Sequence, residues 1–208
     1  MTGATGYIGQ RLTAALVARG HSVRALVRAE SAGRVPPGAT TVIGNALDAS
    51  TFAAAVTADD TIVHLVGTPH PSPKKAAEFQ RVDLPSILAT VAAAQRVGAV
   101  HLVYVSVAHP APVMEAYIAA RSAGERAIEE AGLTATIIRP WYVLGPGHRW
   151  PYLLIPFYAA ARLVPSKRET ARRLGLVTIR QMLDTLVRAV EQPPAAGHIR
   201  IVEVPDIR

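Results

Sequence analysis

The chain has 208 residues, with 22 Lys and Arg against 15 Asp and Glu, a formal net charge of +7, and no cysteine. That length suits one domain with a sizeable core, and the missing cysteines exclude disulfides and thiolate zinc sites and make a cytoplasmic location the expectation. The positive charge fits an anionic ligand such as a nucleotide, whereas the lack of an aromatic-plus-basic motif argues against nucleic acid, and no apolar run is long enough to span a bilayer.

The first motif is TGATGYIG at residues 2–9, with glycines at 3, 6 and 9. Gly3 permits a tight turn, Gly6 lets backbone N–H groups approach a pyrophosphate, and Gly9 allows close helix–sheet packing. The helix N-terminus that follows favours phosphate charge. Thr5, Tyr7 and Ile8 complete the cofactor-binding loop. After it, Ile8, Leu12, Ala15 and Leu16 fall on one face of a helix that stops at Gly20. Residues 21–28 (HSVRALVR), 40–44 (TTVIG) and 61–67 (TIVHLVG) read as strands, and 48–56 as a short helix with Asp48 near its N-cap. A second helix is capped by Asp83, carries Pro85 in its first turn and ends at Gly98. Residues 100–107 form a strand, 117–132 a helix and 134–140 a strand ended by Pro140. A last helix spans 177–192 and a last strand 198–204.

Strands alternating with helices predict an α/β fold: a Rossmann-like doubly wound parallel sheet with helices on both faces and a small C-terminal lobe. The whole of 1–208 is one NAD(P)-binding domain, with 141–180 as the main part of the substrate lobe. In such a sheet a strand precedes the glycine loop and lies centrally, between the strands at 21–28 and 61–67. Only Met1 stands ahead of the motif, so the expectation is that this strand is missing before residue 2 and that the natural protein starts several apolar residues earlier. Cofactor selectivity is read at the end of the second strand, where an acid favours NAD and an arginine the 2′-phosphate of NADP. Arg28 stands there, with Glu30 two residues on and Arg11 of the first helix as a second phosphate contact, so NADP(H) is expected over NAD(H).

TGATGYIG, VIGNALD (42–48), TIVHLVG, VYVSV (103–107), Tyr117 and RPWYVLGPG (139–147) occur in an order that resembles the short-chain dehydrogenase/reductases. The likeness is to their atypical and extended branch, with its NmrA-like proteins and sugar-nucleotide epimerase relatives. The resemblance implies that Asn45, followed by Ala46, lies at the adenine, and that Val66 and Gly67 lie beside the nicotinamide-side ribose. It makes Ser106 the residue that orients a substrate oxygen, Tyr117 the general acid/base, and Pro140 part of the wall near the nicotinamide. The family signature is Tyr-x-x-x-Lys; this chain reads YIAAR, with Arg121 in the lysine position. Arginine keeps the positive charge, so the resemblance implies that Arg121 holds the ribose and polarises Tyr117, but it gives up no proton at working pH.

None of the seven histidines forms a metal-binding pair with carboxylates, so no metal is expected. His148, in GPGHRW, is either a substrate contact or a solvated loop residue. WPYLLIPFYAAARL (150–163) lines a pocket, fills a small lobe or lies on a membrane surface, the first two being the expectation. Two functions follow: an NADP(H)-dependent oxidoreductase acting on a carbonyl or alcohol, with a small-molecule substrate, or a non-catalytic NmrA-like sensor or assembly factor with a redox-sensing partner. A sugar-nucleotide epimerase is the weaker enzymatic variant. Oligomeric state is open.

Overall fold

The computed structural model describes residues 1–147, 169–170 and 172–207. Helix α1 (Tyr7–Ala18) leads into strand β1 (Arg24–Val27) and, after a 3-10 segment, β2 (Thr40–Ile43) and β3 (Thr61–His64). A short turn of helix, α2 (Ala76–Glu78), continues through a π turn at Phe79–Asp83 into α3 (Leu84–Val97). Strand β4 (His101–Val105), helix α4 (Glu115–Glu130), and strands β5 (Ala135–Arg139) and β6 (Tyr142–Leu144) follow. The described chain closes with β7 (Leu176–Thr178), α5 (Ile179–Glu191) and β8 (Ile199–Glu203).

Every strand pair is parallel: β1 with β2, then β3, β4, β5 and β8 in that order. Thr2 joins the two groups, making parallel bridges to Leu26 on one side and His64 on the other. Its N–H donates to Val63 O at 2.9 Å and its carbonyl accepts from Leu65 N at 3.3 Å. The Met1 carbonyl accepts from Leu26 N at 2.9 Å. A single residue thus occupies the central lane of the sheet. Below it, a cavity of about 300 Å³ opens between Ser22 and Arg24 on one wall and Asp60 and Thr61 on the other.

The alternation of the strands sorts the core onto two faces. Val63, Val103 and Ile138 pack with Leu12 and Leu16 of α1 and with Met182 and Leu186 of α5. Ile62, Leu102, Tyr104 and Ile137 point the other way, onto Ile87 and Val91 of α3 and Ile128 of α4. Alternate residues of one strand therefore supply both layers, as a sheet covered on both sides requires.

Two local expectations are corrected, and one strand is new. Residues 48–56 do not form an α-helix: two single 3-10 turns, Ala49–Thr51 and Ala53–Ala55, stand there, and Asp48 accepts from Ser50 N at the first. Asp83 does not cap α3, because the preceding turns run straight into that helix and its carboxylate is used elsewhere. The strand at residues 176–178 was not anticipated; it pairs with β6 in a second, two-stranded sheet. Thr178 then caps α5 through a reciprocal box with Gln181. Most of the expected substrate lobe, including WPYLLIPFYAAARL and His148, lies outside the described residues.

Candidate functional site

The glycine loop leaves the sheet between β1 and β3, the point at which strand order reverses, and ligands of open α/β sheets bind there at the carboxyl ends of the strands. Gly3 takes a left-handed conformation, φ 70°. Its carbonyl accepts from Gly6 N at 3.0 Å, closing the turn from which α1 starts. A side chain at Gly9 would overlap the carbonyl oxygen of Gly3 and the backbone of Ala4. That packing draws α1 against the loop and presents the N–H groups of its first turn, Tyr7, Ile8 and Gly9, at the mouth of the switch point. Thr5 and Gly6 form the rim. These residues fit a dinucleotide pyrophosphate.

Around this cradle the strand ends bring together the other expected residues. Arg28 follows β1, exposed and ion-paired with Glu30 at 3.1 Å. Arg11 turns back on its own helix, donating to Tyr7 O at 2.8 Å with its guanidinium 4.3 Å from the Tyr7 ring centre, and so does not join Arg28. Asn45 and Ala46 follow β2. The Asn45 side-chain Oδ1 accepts from Leu47 N at 3.1 Å, and the Asn45 backbone N–H donates to Thr51 Oγ1 at 2.9 Å. Val66 and Gly67 follow β3, Ser106 follows β4, and Pro140 follows β5 with its carbonyl bound to Ala108 N at 2.9 Å.

Tyr117 and Arg121 lie one turn apart on α4. The Tyr117 ring packs on Phe79, centroids 4.9 Å apart at 52°, and the Arg121 guanidinium carbon is 5.2 Å from its centre. Arg121 is buried. Its Nη2 donates to Asp83 Oδ1 at 2.8 Å and its Nη1 to Val105 O at 3.0 Å. A side chain on Gly67 would collide with the guanidinium, so the loop after β3 lies directly against it.

Ser106 is also buried, and its hydroxyl donates to Glu125 Oε1. Glu125 accepts from both Arg139 Nε, at 3.0 Å, and Arg139 Nη2, while Arg139 Nη1 reaches Glu203 Oε1 at 2.8 Å. Burial pushes the Glu125 carboxyl up, but the bonds from Arg139 and Ser106 outweigh it and hold the group below the usual carboxylate range. One buried carboxylate thus ties α4 to the ends of β4 and β5, and Arg139 carries the tie on to β8.

Glu125 and Arg139, and the part Asp83 plays beside Arg121, escaped the reading of the sequence. One signal was available: Arg121, Glu125 and Ile128 share a helical face, and charged residues on the face of an apolar residue need buried partners.

Residues 3–149 match the family model described as NAD(P)H-binding. The chain belongs to the NAD(P)H-binding family. It is 28% identical over its whole length to a ceramide reductase of Caulobacter vibrioides, of which it spans 64%. A ketoreductase of Stigmatella aurantiaca acting on a farnesyl dihydroquinoline oxide is 29% identical over 70% of the chain and 50% of that protein. A 3-diazoavenalumate denitrifying reductase of a Streptomyces species is 32% identical over 71% of the chain and 56% of that protein. The chain therefore spans about half to two thirds of the length of these relatives. Among solved structures, Bordetella bronchiseptica WbmH with bound NAD+ aligns over 97% of this chain and 73% of its own, with a TM-score of 0.70 at 20% identity. A UDP-galactose 4-epimerase aligns over 97% and 75%, with a TM-score of 0.69 at 20% identity. These two likenesses concern the fold.

Proposed function

We propose that the chain binds NADP(H) in preference to NAD(H) and reduces a carbonyl, or oxidises the corresponding alcohol, on a small molecule. The observation that supports this reading is the glycine cradle at the switch point with Arg28 following β1, exposed and ion-paired with Glu30, where its guanidinium would meet a 2′-phosphate. Three relatives bear the names of reductases or a ketoreductase, which supports reductive chemistry.

A bound nicotinamide supplies or accepts the hydride. The residues of the chain do the rest: Gly3, Thr5, Gly6, Tyr7, Ile8 and Gly9 hold the pyrophosphate, Asn45 and Ala46 border the adenine, and Val66, Gly67 and Pro140 border the nicotinamide half. Tyr117 exchanges the proton of the reacting oxygen from its phenol, which has no hydrogen-bond partner among the described residues. Ser106 adds a donor to that oxygen only if its hydroxyl turns away from Glu125.

A second reading, a non-catalytic NADP(H) sensor with a redox-sensing partner, is favoured by one observation: the Ser106 hydroxyl and both terminal nitrogens of Arg121 are engaged within the protein. Tyr117→Phe separates the two. The enzyme reading predicts that turnover falls by at least about a hundredfold while NADPH affinity stays within about threefold. Unchanged turnover in this variant would refute Tyr117 as the proton carrier.

A further inference from the structure

We infer that the groove between α1 and α5 docks an acidic amphipathic helix of a partner protein. The two helices lie side by side on one face of the sheet, because Leu12 and Leu16 of α1 and Met182 and Leu186 of α5 bury into the same core cluster. Their outer surfaces leave a groove of about 740 Å³ between them. It lies against a face of the sheet rather than at the carboxyl ends of the strands, and its role does not depend on the cofactor reading.

The spacing of residues decides what the groove presents. On α1, Arg11, Ala15 and Arg19 recur at four-residue steps and share one side of the helix. On α5, Arg180, Leu183, Val187 and Arg188 fall at i, i+3, i+7 and i+8, again one side. Ala15, Leu183 and Val187 thus supply an apolar floor, and the longer arginines border it. Among the described residues, Asp184 and Glu191 are the carboxylates that line it, against four arginines, which leaves a net charge of +2. Glu191 accepts from Arg19 Nε at 2.6 Å and Nη2 at 2.8 Å, and Asp184 lies 3.9 Å from Arg180 Nε. The carboxylates therefore cancel half of the positive charge, and the groove stays basic.

Shape and charge select the occupant. A trough with an apolar floor accepts a helix that carries one apolar stripe, and basic borders favour acidic residues beside that stripe. With 12 residues in α1 and 13 in α5, a helix of about 12 residues, about 18 Å long, matches its length. A second copy docked face to face would set arginines against arginines, and that repulsion opposes it. A bilayer leaflet is flat: its headgroups would meet Asp184 and Glu191 along with the arginines and would not reach the floor. No aromatic side chain among the described lining residues offers a base a stacking surface.

The test is fluorescence anisotropy of a labelled peptide of about 12 residues, with leucines at i, i+3, i+4 and i+7 and glutamates beside them, titrated with the full chain. Saturable binding is expected, and it should weaken by about threefold as salt is raised from about 0.1 M to about 0.5 M. Arg180→Glu with Arg188→Glu should weaken it by about tenfold. Both arginines are exposed, so the Tm of this variant should stay within about 2 °C of wild type. A peptide of the same composition with its leucines spread around the helix should bind at least about tenfold more weakly. Equal binding of the two peptides would show that charge alone is recognised and would overturn the groove. Absence of saturable binding, or an affinity that ignores the arginine changes, would overturn the proposal outright. Binding to phosphatidylglycerol vesicles but to neither peptide would give the face to a membrane instead. A wild-type dimer in sedimentation that the arginine changes dissolve would give it to a second copy.

Discussion

Gly9 is where the packing leaves least room for change. A methyl group there would drive into the Gly3 carbonyl and the Ala4 backbone, so Gly9→Ala must either lift α1 off the loop or open the turn. Overpacking of this kind costs about 1–3 kcal/mol, or roughly 3–10 °C in Tm for a domain of this size, and nucleotide affinity should fall by about tenfold or more. Thermal melts and a titration of the variant check both.

His64 governs the response to acid. It is fully buried among Thr2 Oγ1 at 3.1 Å, Thr90 Oγ1 at 2.9 Å and Ser86 Oγ at 3.3 Å. Burial, aided by repulsion from Arg121, lowers its pKa to about 3. His101 is held down to about 4, again chiefly by burial. In the unfolded chain both titrate near 6.5. Below that pH the unfolded state takes up protons that the folded state refuses, so stability is complete above about 6.5 and declines as pH falls toward 4. The slope approaches about 1.4 kcal/mol per pH unit for each histidine. Tm measured from pH 7.5 to 4.5 should fall steadily below the histidine range; a flat profile would contradict the neutral burial of these rings.

At the scale of elements, the period of the apolar residues was enough to find α1, α3, α4, α5 and the strands of the main sheet, because each buries one face against a named partner. It was not enough where hydrogen bonding rather than apolar period decides the form. The segment 48–56 is alanine-rich and reads as helix, yet Asp48 and Thr51 bond locally and turn it into separate 3-10 turns. Residues 76–83 carry no proline or glycine to mark a π turn, so the position of Asp83 was not legible. Nor was the Ser106–Glu125–Arg139 tie, since it joins three elements distant in sequence. The glycine cradle and Arg28 were legible because their chemistry is local. The cap of α5 is local too, and Thr178→Ala should cost about 1 kcal/mol, seen as a fall of about 2–4 °C in Tm.

At the scale of the whole molecule, Thr2 is the link that joins the two groups of strands among the described residues. Its two bridges hold β1 and β3 together, and Met1 adds one bond from its amino group to Arg24 O at 2.7 Å. The cavity beneath has Arg24 and Asp60 ion-paired at its wall. A short extended run of valine and isoleucine joined ahead of Met1 should enter it parallel to both neighbours and raise Tm by several degrees. A glycine–serine run of equal length should not. Equal melts for the two would show that the lane does not accept a strand. Because Thr2 leads directly into Gly3, any gain there should also steady the turn that receives the nucleotide.

The central claim is a nicotinamide cofactor held on the glycine loop with its 2′-phosphate toward Arg28. It is tested most directly by parallel fluorescence titrations of the purified chain with NADPH and NADH, each repeated on Arg28→Ala. Saturable binding is expected with both, tighter for NADPH, and the arginine change should weaken NADPH by about tenfold while leaving NADH nearly unaltered. Binding of neither nucleotide would contradict the cofactor site itself. Tighter NADH binding that ignores Arg28 would contradict the assignment of the 2′-phosphate.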